Sequence, residues 1–165
     1  MTDPPWGKEG GYTYTSVVNP IARPIEVLLV EDNESDLRLT QEALKEGKMK
    51  TTLSHVWDGE EAAEFLRRKG RFKDAPRPDL ILLDINLPRK NGMELLAEIK
   101  ADDVLKKIPV VILTTSRAEE DILRSYELHA NCYITKPVDL TQFIKIVQAI
   151  DNFWFTVVTL PPEKI

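Results

Sequence analysis

Five short apolar runs recur along the chain, and a stretch with helical periodicity follows each. The runs are Ile25–Val30, Leu53–Val56, Leu80–Leu83, Val110–Leu113 and Cys132–Ile134. Runs of this length suit strands buried on both faces. Each helical stretch opens on a residue able to cap it: Asn33 ahead of Leu37, Thr40, Ala43 and Leu44, then Asp58 with Glu61, Asn91 with Glu94, Ser116 with Glu119, and Asp139 with Gln142. The Ser116/Glu119 pair fits the capping box, in which hydroxyl and carboxylate each satisfy a free backbone N–H; the others are its relatives. Strand then helix, five times over, predicts a doubly wound α/β fold with a parallel sheet covered on both faces. The folded domain is expected over residues 25–151. Residues 1–24, with Pro4, Pro5, Pro20, Pro24 and three glycines, read as a tail with little structure, and residues 152–165 as a C-terminal extension. Residues 70–78 read as a long exposed connection before the third strand.

Several function classes are disfavoured at once. A net charge of -5 is the wrong sign for a general nucleic-acid binder. No apolar run approaches the roughly 18 residues of a membrane span, and the N-terminus has neither the basic nor the apolar region of a signal peptide. The lone cysteine, Cys132, allows no internal disulfide or multi-cysteine metal site and fits the reducing cytoplasm. Cys132, His55 and His129 are read as structural: a small core thiol and two surface imidazoles.

Open parallel sheets bind ligands at the carboxyl ends of their strands. There the first run ends in Glu31-Asp32, the third in Asp84, the fourth in Thr114-Thr115 and the fifth in Thr135-Lys136-Pro137. Each has an ordinary reading taken alone: Glu31-Asp32 as acids favouring a helix N-terminus, Asp84 as a turn acid, Lys136-Pro137 as loop, Thr114 as strand-end filler. Together they put three carboxylates at one edge, which repel one another unless a cation intervenes. Oxygen-only ligands favour Mg²⁺. That cation and Lys136 would make the edge a seat for a phosphoryl group.

The motifs here resemble the receiver domain of two-component response regulators. They are Val30-Glu31-Asp32-Asn33, Leu83-Asp84-Ile85-Asn86-Leu87-Pro88 followed by Asn91-Gly92, Leu113-Thr114-Thr115-Ser116, and Tyr133-Ile134-Thr135-Lys136-Pro137, in order over about residues 25–150. Asp74-Ala75-Pro76-Arg77-Pro78-Asp79, Ser125-Tyr126-Glu127-Leu128 and Asn131-Cys132-Tyr133 are similar to the single-domain regulators paired with cyanobacterial phytochrome histidine kinases. The resemblance implies a flavodoxin-like (βα)5 sheet in the order 2-1-3-4-5. It implies that Asp84 accepts a phosphoryl group from a kinase phosphohistidine. Asp32 and Asp84 would bind Mg²⁺ directly, Glu31 through water, and the backbone carbonyl of Asn86 would complete the set. Lys136 would pair with a phosphoryl oxygen, positioned through a cis bond to Pro137. Thr114 would hydrogen-bond the new group and Tyr133 would follow it inward, changing the face of the fourth helix, fifth strand and fifth helix. Thr115 departs from the commonest family pattern, being bulkier than the small residues often found there, and it would crowd the water path to the phosphoaspartate.

Two other functions compete. A phosphohydrolase with an aspartyl nucleophile would need an acid where Asn86 stands, because an amide cannot act as acid or base. A receiver-shaped module that is never phosphorylated would have no reason to keep its acids and lysine together. The implied protein is not a turnover enzyme. Too few residues flank the domain for a helix-turn-helix unit, so signalling is expected through partner binding or self-association, with no direct contact to nucleic acid or membrane. At about 100° per residue from Leu140, Leu140, Phe143, Ile144, Val147 and Trp154 share a stripe expected to pack on the sheet. Ile146, Ala149, Ile150, Phe153 and Val157 form a second stripe. A homodimer is expected on this surface, through Ile146, Ile150, Phe153, Phe155 and Val157; the alternative is a tail folded back on its own core.

Overall fold

The computed structural model describes residues 23–47 and 50–162. Five parallel strands lie in the order β2-β1-β3-β4-β5: β1 Ile25–Val30, β2 Thr51–Val56, β3 Leu80–Leu83, β4 Val110–Thr114 and β5 Cys132–Thr135. The helices are α1 Glu34–Lys45, α2 Gly59–Leu66, α3 Gly92–Ala101, α4 Glu119–Glu127 and α5 Leu140–Asn152. Doubly wound topology and strand order agree with the sequence reading.

The unbroken apolar runs follow from having a core on each face. Leu28, Val30, Ile81, Leu83, Val110 and Ile112 pack with Phe65 of α2 and Leu95, Leu96 and Ile99 of α3. Their strand neighbours Val27, Leu29, Leu80, Leu82, Val111 and Leu113 pack the other way, with Leu37 and Leu44 of α1 and Phe143, Val147 and Ile150 of α5. Alternate residues face opposite sides of a strand, so a strand with a core on both faces has no polar position.

Four of the five caps form as expected. Asn33 accepts from the Asp36 N–H, Asp58 from Glu61, Asn91 from Glu94, and Asp139 from Thr141 and Gln142. Ser116 does not cap α4. The residue before the helix is Ala118, and the Ser116 hydroxyl donates instead to the Asp121 carboxylate at 2.5 Å. A charged acceptor is the stronger partner for that proton.

The connection over residues 70–78 is less exposed than expected. It contains a 3₁₀ turn, Gly70–Phe72, and Phe72 meets Phe65 edge-on with centroids 5.4 Å apart. An aromatic side chain gains more by packing on α2 than by facing water. Of the expected N-terminal tail only Arg23 and Pro24 lie among the described residues. Arg23 is anchored there, its guanidinium donating twice to Asp79 at 2.8 Å.

The end of α5 departs from a constant helical step. A π-helical turn, Phe153–Val157, follows it, with the Val158 N–H donating to the Phe153 carbonyl five residues back. At about 100° per residue, Ile150 falls about 20° from Phe143 and Phe155 about 20° from Ile144, at the edges of the stripe that faces the sheet. Ile150 and Phe155, expected at a dimer interface, are buried in their own chain at 3% and 6% exposure, and Ile146 is half-buried. Leu140, expected on the sheet, is 62% exposed in the first turn of α5. Phe153 and Val157 stay exposed, and Trp154 and Leu160 pack partly on the core.

Asp151, near the end of α5, is 4% exposed, and its Oδ1 has no hydrogen-bond partner among the described residues. Burial raises its pKa above the ordinary carboxylate value. A folded pKa above the unfolded one means stability is lost as pH rises through it. Asp151→Asn is therefore expected to raise stability by about 1 kcal/mol at mildly alkaline pH, with the gain fading in acid. Urea midpoints across pH check this; an unchanged or lower midpoint in alkali contradicts it.

Candidate functional site

The β-ladder carries the predicted residues to one edge. Past the strand ends, the Glu31 N–H donates to the Val56 carbonyl, Asp84 to Val30, and Lys136 to Thr114. Glu31, Asp84, Thr114 and Lys136 are all buried, whereas Asp32 and Thr115 are exposed at the rim. Behind Asp84 the chain turns tightly. The Gly92 N–H donates to the Ile85 carbonyl, and a Cβ on Gly92 would lie 2.4 Å from the Asp84 carbonyl oxygen. A side chain there would push the start of α3 off Asp84, which explains the glycine after the Asn91 cap.

At the centre is the Lys136 ammonium. It donates to Glu31 Oε2, to Asp84 Oδ2 at 2.9 Å and to Asp36 Oδ2 at 2.9 Å. The other Asp84 oxygen accepts from the Thr114 hydroxyl and from the Asn86 N–H, both at 2.9 Å. Glu31 Oε1 accepts from the Asn33 N–H at 3.1 Å. Burial disfavours the ammonium of Lys136, yet Asp84, Glu31 and Asp36 more than offset it and raise its pKa. Burial pushes Glu31 up to about 7, against the pull of Lys136 and with the help of Asp84.

Carboxylate oxygens of Glu31, Asp32 and Asp84 lie within 4.8 Å of one another. Three hard oxygen donors, without nitrogen or sulfur, fit a hard divalent cation. The Asn86 side-chain amide donates toward the Thr114 hydroxyl at 3.4 Å, so it supports that hydroxyl and supplies no second acid.

Tyr133 is half-buried and turned toward the β4–α4 loop, its hydroxyl donating to the Ser116 carbonyl at 3.0 Å. The Ser116 N–H in turn donates to the Thr114 hydroxyl at 3.4 Å. Thr114 and Tyr133 are thus joined through one loop residue. The Lys136–Pro137 bond is trans, as no peptide bond among the described residues is cis. Trans is the isomer X-Pro favours by about 0.5–1 kcal/mol, and three carboxylates already hold the lysine.

Two residues here escaped the sequence reading. Asp36 is a first-turn acid of α1, and only the fold brings it to Lys136. His55 is not a surface imidazole. It is half-buried, and its Nε2 lies 2.7 Å from the Glu31 carbonyl. A carbonyl only accepts, so that nitrogen carries the proton. The position of His55 one residue before the end of β2 was the available signal.

The family model described as response regulator receiver domain matches residues 27–148, from within β1 to within α5, including the acidic edge. The chain belongs to that family. Response regulator Rcp1 of Synechocystis sp. is 52% identical over 138 residues, 84% of this chain and 94% of that one. The crystal structure of the Mn²⁺-bound form of Rcp1 superposes with a TM-score of 0.82, covering 84% of this chain and all of the other. The phosphorylated cyanobacterial phytochrome response regulator RcpA, also 52% identical, gives 0.83 over 85% of this receiver and 100% of RcpA. Among the described residues no helix is long and apolar enough to cross a membrane.

Proposed function

We propose that this receiver accepts a phosphoryl group on Asp84 from a phytochrome-type histidine kinase and signals through a changed α4–β5–α5 face. The observation that carries the reading is Asp84 itself, buried between a lysine ammonium and two further carboxylates at a strand end. The likeness to Rcp1 and RcpA supports both the phosphorylation and the choice of kinase. One Asp84 oxygen bonds to phosphorus as the phosphorus–nitrogen bond of the donor breaks, and the electron pair stays on the imidazole, which takes a proton from water. Lys136 orients the incoming oxygens, and the Thr114 hydroxyl passes from the carboxylate to the phosphoryl group. Glu31, Asp32 and Asp84, with the Asn86 backbone carbonyl, would hold Mg²⁺, which supplies positive charge against the phosphoryl oxygens. Movement of Thr114 is relayed by Ser116 to Tyr133. A kinase drawing on ATP places the exchange in the cytoplasm. The test is transfer from an autophosphorylated phytochrome kinase; a label that stays on the kinase contradicts the reading.

Self-association through Phe153, Val157 and the exposed edge of Ile146 belongs to the same proposal. Phe153 and Val157 are 53% and 66% exposed on consecutive turns, and a twofold contact would bury this pair on both partners at once. Sedimentation at micromolar concentration should give a dimer that Phe153→Asp weakens. A wild-type monomer contradicts this surface.

A further inference from the structure

We propose that Asp36 is a positioning residue for Lys136, holding the ammonium at the site while Glu31 and Asp84 serve the cation and the phosphoryl group; the inference rests on the phosphoacceptor reading above. An ammonium has three N–H donors, and three carboxylates take them: Glu31 after β1, Asp84 after β3 and Asp36 in the first turn of α1. Two of these also belong to the triad able to hold a divalent ion, and Asp36 does not. Once an Asp84 oxygen is bonded to phosphorus, that side chain loses its negative charge, and a phosphoryl oxygen takes its place on the lysine. Asp36 is then the one carboxylate whose charge is committed to Lys136 alone.

Asp36 is built to stay still. Its N–H donates to the Asn33 cap at 3.0 Å, and its carbonyl accepts from the buried Thr40 hydroxyl at 2.7 Å. It sits on an element that carries neither the proposed phosphoacceptor nor the switch residues. Its side chain is 23% exposed, against 3% for Lys136, so it meets the ammonium from the solvent side. A first-turn acid also favours the helix dipole, and that role alone would affect stability without touching phosphoryl transfer.

The experiment uses the full chain, Mg²⁺ at saturation and phosphoramidate as donor, with intact mass followed over time. Asp36→Ala should slow phosphorylation about tenfold, since small misplacements of a positioning group are costly, and should leave Mg²⁺ affinity unchanged. Asp36→Asn keeps an accepting oxygen and should recover part of the rate. Without metal or donor, Lys136 in Asp36→Ala should be reductively methylated faster than in wild type. Unchanged or faster phosphorylation in Asp36→Ala overturns the inference, as does unchanged labelling of Lys136. A lower melting temperature with unchanged rates also overturns it and leaves Asp36 a helix-dipole residue. A wild type that takes no phosphoryl group overturns the phosphoacceptor reading, and this inference falls with it.

Discussion

Replacing Lys136 by methionine is expected to destabilise the folded chain by about 3–5 kcal/mol, the cost of breaking a buried ion pair by removing one partner. Methionine fills similar volume, so lost packing contributes little. What remains is Glu31 and Asp84, 2% and 6% exposed, facing each other and Asp36 without the cation between them. Burial already pushes Glu31 up to about 7, and removing the ammonium raises it further. A raised folded pKa gives stability that is lost as pH rises through it, so the deficit should be largest above pH 7 and shrink in acid. Divalent cation should restore part of the loss, because it supplies the missing positive charge to the same carboxylates. Urea unfolding with and without Mg²⁺ measures each part. Equal stability of variant and wild type in mild alkali would show that the ammonium does not hold the site together.

What could be read from residue order and what could not divide along a physical line. The apolar runs announced the strands because burial on both faces forces every strand position to be apolar. The caps at Asn33, Asp58, Asn91 and Asp139 were legible because a cap lies within three residues of its partner. Ser116 shows the limit of such local logic, since its hydroxyl had a charged acceptor, Asp121, one turn further on. The strand-end acids and Lys136 could be grouped because parallel strands deliver all their carboxyl ends to one edge. Asp36 could not, because its partner lies 100 residues away and nothing in its own turn marks it. His55 was missed because its acceptor, the Glu31 carbonyl, lies just past the neighbouring strand β1 and 24 residues back in the chain. After Asn152 the projected stripes still sort Trp154 toward the core and Phe153 and Val157 toward solvent, but Phe155, expected at a dimer interface, is buried in its own chain beside the sheet-facing stripe.

Loss of the acceptor carries the largest expected effect of any substitution here. Asp84→Ala removes the carboxylate that meets Lys136, Thr114 and the Asn86 N–H, and no neighbouring group can take over its place. Glu31 is turned into Lys136 and the Asn33 N–H, and Asp32 stands exposed at the rim. Neither meets the Thr114 hydroxyl and the Asn86 N–H, which hold one Asp84 oxygen and leave the other toward Lys136 for attack on phosphorus. Removing Asp84 also relieves repulsion among buried acids, so the variant should fold, and a negative result will report on chemistry. The direct measurement is intact mass of wild type and Asp84→Ala after incubation with acetyl phosphate and Mg²⁺. Wild type should gain one phosphoryl group and Asp84→Ala none; a variant modified to the wild-type extent would place the acceptor elsewhere and contradict the account.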